Sequence, residues 1–179
     1  MISRLYNDHN RILKILNLLE IQLIGLCRKK TTDYQVMHTL VVYLQEYPEK
    51  AHHPLEDELY SMIIKSGVVD ENDFVKDLIK DHTEIEEVTR DLREIIEDDL
   101  YGKSENMDHL IKKLSNFISK QRKHLLTEEM TLFPLIESRV ALRDYELVEA
   151  RYAIADNSVG MRTDQDYESL ERKLESMVK

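Results

Sequence analysis

Apolar side chains recur at Leu5, Ile12, Leu16, Leu19, Leu23 and Leu26, with gaps alternating between three and four once His9 is counted in the series. That spacing is the seam of an amphipathic bundle helix. A second seam reads Val41, Gln45, Pro48, His52, Glu56, Leu59 and Ile63, and stops at Ser66-Gly67. A third runs through Val75, Leu78, His82, Ile85, Thr89, Leu92 and Ile96, from a start near Asp70 to Gly102. The fourth runs through Leu110, Leu114, Phe117, Gln121, His124, Glu128 and Leu132, with Ser104 as the expected N-cap and an end or bend around Pro134. Pro48 and Pro54 interrupt the second pattern, so a kink or break is expected near residues 44 to 50. Lys29-Lys30-Thr31-Thr32-Asp33 supplies cations for the end of the first helix and N-cap candidates for the second. Residues 138 to 156 continue the helical pattern with Leu142, Tyr145 and Val148; Asn157 to Gly160 reads as a linker, and a charged helix follows over roughly 164 to 177.

The expected architecture is all-α: an up-down-up-down four-helix bundle over residues 1–156, then a linker and an additional C-terminal helix over 157–179. Composition agrees. Four glycines and three prolines in 179 residues leave little for a turn-rich β fold, and 42% apolar with 34% charged residues suits long amphipathic helices around one core.

The seams carry histidine where a bundle wants leucine, and the register of these histidines is informative. With turns at about residues 30, 67 and 102, His9 lies 21 residues before the first turn and His52 lies 22 after it. His52 and His82 each lie 15 from the second turn, and His82 and His124 lie 20 and 22 from the third. At a rise of about 1.5 Å per residue, antiparallel helices bring all four to one level within a turn. His52 and His124 each have a carboxylate four residues on, Glu56 and Glu128, on the same helix face. Two ionised carboxylates on buried seams are costly without compensation, and a bound cation supplies it. Mixed imidazole and carboxylate donors suit a borderline or redox-active first-row metal, with iron the leading candidate. The metal-site candidates are therefore His9, His52, Glu56, His82, His124 and Glu128.

Other polar residues read differently. His38 sits on the second seam but 14 residues before His52, His109 lies near the start of the fourth helix, and His53 is turned about 100° off the seam toward solvent or a neighbouring helix. Glu86, one turn after His82, either adds a carboxylate from the third helix or belongs to the solvated run Glu84 to Glu87. Asp57 and Glu129 follow the candidate glutamates and are expected beside the site or on the surface, while Tyr6 and Tyr60 lie one turn from His9 and Glu56. Leu5, Ile12, Leu55, Leu59, Ile85 and Leu125 would keep water from the site.

The segments NDHNRIL, KAHHPLEDELY, KDHTEIEE and KHLLTEEMTLFPLIE, in this order, resemble the hemerythrin-like family of HHE cation-binding domains over about residues 1 to 150. The resemblance implies a non-haem centre of two iron ions, oxo- or hydroxo-bridged. Glu56 and Glu128 would then bridge, and His9, His52, His82 and His124 would supply terminal nitrogens. Oxygen-carrying hemerythrins have a second histidine one turn after the third-helix histidine, where this chain has Glu86, and end on a more distant aspartate, where it has Glu128. The pattern is closer to the bacterial branch associated with oxygen, nitric oxide or iron handling. The implied role is to bind, sense or handle O₂, NO or peroxide. The alternatives are an iron-responsive interaction module, with the charged tail contacting a protein partner, and a di-iron oxidoreductase in stress defence or iron–sulfur repair.

Charge and cysteine content bound the rest. A net charge of −10 gives no basic footprint for nucleic acid or an anionic membrane. Cys27 is the single cysteine, so neither an intrachain disulfide nor a cysteine metal cluster can form. With no apolar signal core and no run long enough to span a membrane, the chain reads as cytoplasmic. Oligomeric state is not encoded in any of these patterns.

Overall fold

The structure, a computed structural model, describes residues 2–30, 32–65, 67, 74–102 and 107–152, with the isolated positions 169 and 172. All of its regular structure is helical among these residues: α1 (Ser3–Cys27), α2 (Tyr34–Tyr47), α3 (His53–Lys65), α4 (Phe74–Leu100), α5 (Met107–Thr127) and α6 (Phe133–Arg139). A further helical stretch covers 142–152. The boundary expected at 156/157, the Ser104 cap and the start near Asp70 fall outside the described residues. So does the last expected helix, apart from helical positions 169 and 172.

The second bundle helix is α2 and α3 joined by a π turn at Pro48–His52, and the fourth is α5 and α6 joined by a π turn at Glu128–Leu132. Helix α1 packs on α2 and α5, and α4 packs on the same two, which closes the four-helix ring. The connections fit the expected turns. Lys29, Gly67 and Gly102 all adopt positive φ (52°, 66° and 68°) just past helix ends. At Lys29 the chain folds back with Lys30 N–H donating to Gly25 and Lys29 N–H to Leu26, a Schellman closure. Asp33 caps α2 by accepting from Val36 N–H at 3.0 Å.

Neither proline region breaks its helix. The second helix passes Pro48 without interruption, and the fourth runs through Pro134 to Arg139. In an uninterrupted α-helix the Pro54 ring would meet the carbonyl of Lys50, and the Pro134 ring that of Met130. The wide turns lie immediately before both prolines, and in each the next residue reaches back five positions: His53 N–H donates to Pro48 and Phe133 N–H to Glu128. The expected kink near 44 to 50 is thus a π turn a few residues later, ending on His52. Such turns recur at functional sites because they re-aim side chains without ending the helix.

The core is divided. One apolar cluster gathers Ile12, Leu16, Leu19, Leu40, Leu44, Ile85, Leu92, Ile96, Leu114 and Phe117. A second gathers Ile2, Leu5, Leu55, Leu59, Tyr60, Leu78, Leu132 and Phe133, with Tyr145 and Val148 from the stretch 142–152. Leu142, expected on the same stripe as those two, is exposed. His9 falls between Leu5 and Ile12, His82 between Leu78 and Ile85, and the π-turn residues between Leu44 and Leu55. The candidate site is a polar layer separating two hydrophobic ones.

Candidate metal centre

All six expected side chains are buried and converge, and a seventh joins them. Ligand-capable atoms fall into three overlapping sets, each within 4.8 Å: His9, His52 and Glu56; Glu56, His82, His124 and Glu128; and His53, His82 and His124. The carboxylates tie the sets together. Glu56 lies 3.4 Å from His9 Nε2, 3.3 Å from His52 Nε2 and 3.4 Å from His82 Nε2. Glu128 lies 3.4 Å from His9 Nε2, 3.4 Å from His82 Nε2 and 3.0 Å from His124 Nε2. The histidines form two groups, His9 with His52 and His53 with His82 and His124, with Glu56 and Glu128 between them.

His53 corrects the sequence reading that turned it away from the site. It does face a neighbouring helix, but it is only 3% exposed and stacks on His82 with ring centroids 4.0 Å apart and planes at 8°. Its Nδ1 meets Glu86 Oε1 at 3.1 Å. Glu86 is therefore the partner of a histidine rather than one of the converging carboxylates. The missed signal was the adjacent pair His52-His53 together with a carboxylate one turn after His82.

Every histidine of the cluster has a carboxylate on its far side. His82 Nδ1 meets Asp57 Oδ1 at 2.9 Å and His9 Nδ1 meets Glu129 Oε1 at 3.0 Å, so Asp57 and Glu129 do stand beside the site. A carboxylate only accepts, so these Nδ1 atoms carry protons and leave Nε2 as the nitrogen aimed inward. Asp8 lies 3.6 Å from His52 Nδ1, and Asp81 3.9 Å from His124 Nδ1. Fixing the tautomer and raising basicity in this way is how ligand histidines are prepared for metals. Tyr60 donates its hydroxyl to Glu128, while Tyr6 instead sets its ring edge-on to Phe133 at 5.0 Å. Tyr60→Phe is expected to lower stability by about 1.5–3 kcal/mol, since it removes a buried hydrogen bond to a charged acceptor; urea unfolding of the two proteins measures it.

The remaining histidines are elsewhere, as expected. His38 pairs with Glu97 at 2.9 Å on the α2–α4 surface, and His109 is exposed at the start of α5.

The electrostatics show what the cluster does with protons alone. Burial would lower the basicity of His9, but the hydrogen bonds it donates to Glu128 and Glu56 outweigh this and lift its pKa to about 10. Burial is likewise outweighed at His82 by hydrogen bonds to Asp57, Glu128 and Glu56, which lift it to about 12. Glu56 is pushed up by burial and by Glu128, yet the charge of His52 and hydrogen bonds from His82 and His9 bring it to about 2. Glu128, also buried, is held well below the usual carboxylate range, first by His124. Burial and the neighbouring histidines keep His53 neutral.

Protons do not satisfy every group. Glu56 Oε2, Glu128 Oε2 and both ring nitrogens of His52 and His124 are buried without a hydrogen-bond partner. Buried polar atoms are rarely left so. Lone pairs of mixed nitrogen and oxygen character, converging at this density, are the donor set of a first-row metal. The residues fit the ion that the chemistry implies.

No described helix is long and apolar enough to cross a membrane. No curated protein matches the chain, and no solved structure does. The sequence profile of the hemerythrin HHE cation binding domain matches residues 1–136, a span that includes all seven converging side chains. The chain belongs to the hemerythrin HHE cation-binding family.

Proposed function

We propose that this chain is a non-haem di-iron protein that binds and handles a small oxidant, O₂, NO or peroxide. In this reading His53, His82 and His124 would hold one iron, His9 and His52 would hold the other, and Glu56 and Glu128 would lie between them. The observation that carries it is the count of donors. Three nitrogens and two bridging oxygens serve one position, and two nitrogens and two oxygens serve the other. Neither completes an octahedron, so each iron keeps room for an exogenous ligand, with more room on the His9/His52 side. Iron bound there supplies a Lewis-acidic, redox-active centre. The protein contributes orientation through the outer carboxylates, a hydrogen bond from Tyr60 to Glu128, and apolar layers on both sides that limit water.

The division of the core favours one further reading. A metal that completes a polar layer between two apolar clusters couples binding to folding, as an iron-responsive interaction module requires. The experiment is metal analysis of the purified chain after anaerobic ferrous loading, with electronic spectra before and after azide. About two irons per chain, with absorption that azide perturbs, is the expected result. Two irons with no response to azide, NO or peroxide would leave the interaction module. No iron would remove both readings.

A further inference from the structure

Four of the five carboxylates behind the histidines are wet: the side chains of Glu129, Glu86, Asp57 and Asp81 are 30%, 31%, 44% and 38% exposed. Asp8, behind His52, is 5% exposed. Water and salt screen the first four, whereas Asp8 lies in a dry interior, where a charge acts through a lower dielectric. Asp8 is also shared. Arg4 Nε approaches its Oδ2 to 3.9 Å, and Tyr47, buried and stacked on Tyr43 with centroids 5.6 Å apart, hydrogen-bonds to it. Its Oδ2 and His52 Nδ1, 3.6 Å apart, are both buried and lack a hydrogen-bond partner. The 3.6 Å between them is a short movement away from a hydrogen bond.

We propose that Asp8 is the positioning residue that sets the affinity of the His9/His52 metal position, and that Tyr47 moderates it by holding part of the carboxylate's charge away from His52. The inference rests on the two-metal reading above and adds to it a weaker, adjustable position governed from outside the ligand set. Removing the Asp8 charge takes away the one buried carboxylate beside His52 Nδ1 and leaves that ring free to rotate; removing the Tyr47 hydroxyl frees the carboxylate to face His52. The two changes therefore act in opposite directions on one metal and leave the His53/His82/His124 position unaffected.

The test is titration of the metal-free full chain with cobalt(II), a spectroscopic stand-in for ferrous iron, followed by visible absorption and calorimetry. Asp8→Asn is expected to weaken one of two equivalents by about 10–100-fold and to shift its cobalt bands, as loss of an outer carboxylate does elsewhere. Tyr47→Phe is expected to tighten that same equivalent severalfold. Asp57→Asn, behind His82, is expected to weaken the other. A purely structural role predicts loss of affinity in both Asp8→Asn and Tyr47→Phe, so weakening in Tyr47→Phe would overturn the proposal. So would an Asp8→Asn protein that binds both equivalents normally or loses both alike. A parent chain that binds no cobalt would instead bring down the two-metal reading itself.

Discussion

Glu128→Gln is expected to abolish binding of the metal pair and to lower the thermal midpoint both with and without iron. In the metal-free chain this carboxylate is fully buried and faces His124, His82 and His9. Removing one partner from a buried charge cluster costs about 3–5 kcal/mol. At about 2–4 °C per kcal/mol for a chain of this size, the midpoint should fall by roughly 6–20 °C. The second loss comes from linkage. A ligand present at about 100 times its dissociation constant stabilises the folded state by about 2.7 kcal/mol. On the proposed two-metal site the variant would forfeit that increment, because Glu128 would no longer bridge. Calorimetric scans with and without ferrous iron separate the two effects. Glu84→Gln, which removes an exposed partner of Lys120, should change either midpoint little. A Glu128→Gln protein whose midpoint still rises with iron as the parent's does would contradict the bridging role.

Acidity should act on the metal-free and metal-bound forms in opposite senses. His9 and His82 titrate near 6.5 in the unfolded chain and at about 10 and about 12 in the folded one. Their stabilisation is complete below about pH 6.5 and is lost as pH rises through those folded values. Glu56 falls from 4.5 to about 2, so its stabilisation is present above about pH 4.5 and is lost as pH falls through about 2. The metal-free protein should therefore be most stable between about pH 4.5 and 6.5 and soften steadily toward alkali. Metal bound at the proposed site would expel the protons on His9 and His82, so its affinity should climb over the same alkaline range, by up to about a hundredfold per pH unit if both leave together. Thermal midpoints of the metal-free chain from pH 4 to 10, set against cobalt affinities from pH 6 to 8, give the two slopes. A metal-free stability that rises with pH above 6.5 would contradict the protonated cluster.

Much of this was written into the residue pattern. Every seam position named for the third and fourth helices, from Val75 to Ile96 and from Leu110 to Leu132, is buried. His9, His52, His82 and His124 stand at one level, as their counts from the turns imply, because a straight helix converts residue count into height with little error. Height is what sequence encodes well; rotation about the axis is less secure. A seam read at strict heptad positions is narrower than the apolar stripe a bundle helix buries. Ala51, His52, His53, Leu55 and Glu56 are all buried around the π turn, which a regular period would not allow for. His53 was lost for that reason, and with it the role of Glu86.

The π turns themselves were legible only as trouble at prolines. Pro48, Pro54 and Pro134 signalled that an α-helix could not run through unchanged, but a break, a kink and a wide turn all relieve the same clash. Tertiary packing decides among them. Here the helices must continue in order to bury Leu55, Leu59, Phe133 and Ile136 in the second cluster. Asp8 was invisible for a different reason: an acidic residue next to a candidate ligand reads as surface, and only the packing of Tyr47 against it shows that it is dry.

The proposed function places two metal ions side by side across Glu56 and Glu128. Anomalous difference maps from crystals of the iron-loaded chain, collected on either side of the iron absorption edge, test it most directly. The account predicts two peaks within the cluster, one against His53, His82 and His124 and one against His9 and His52, with both carboxylates between them. A single peak, or none within the cluster, would contradict it.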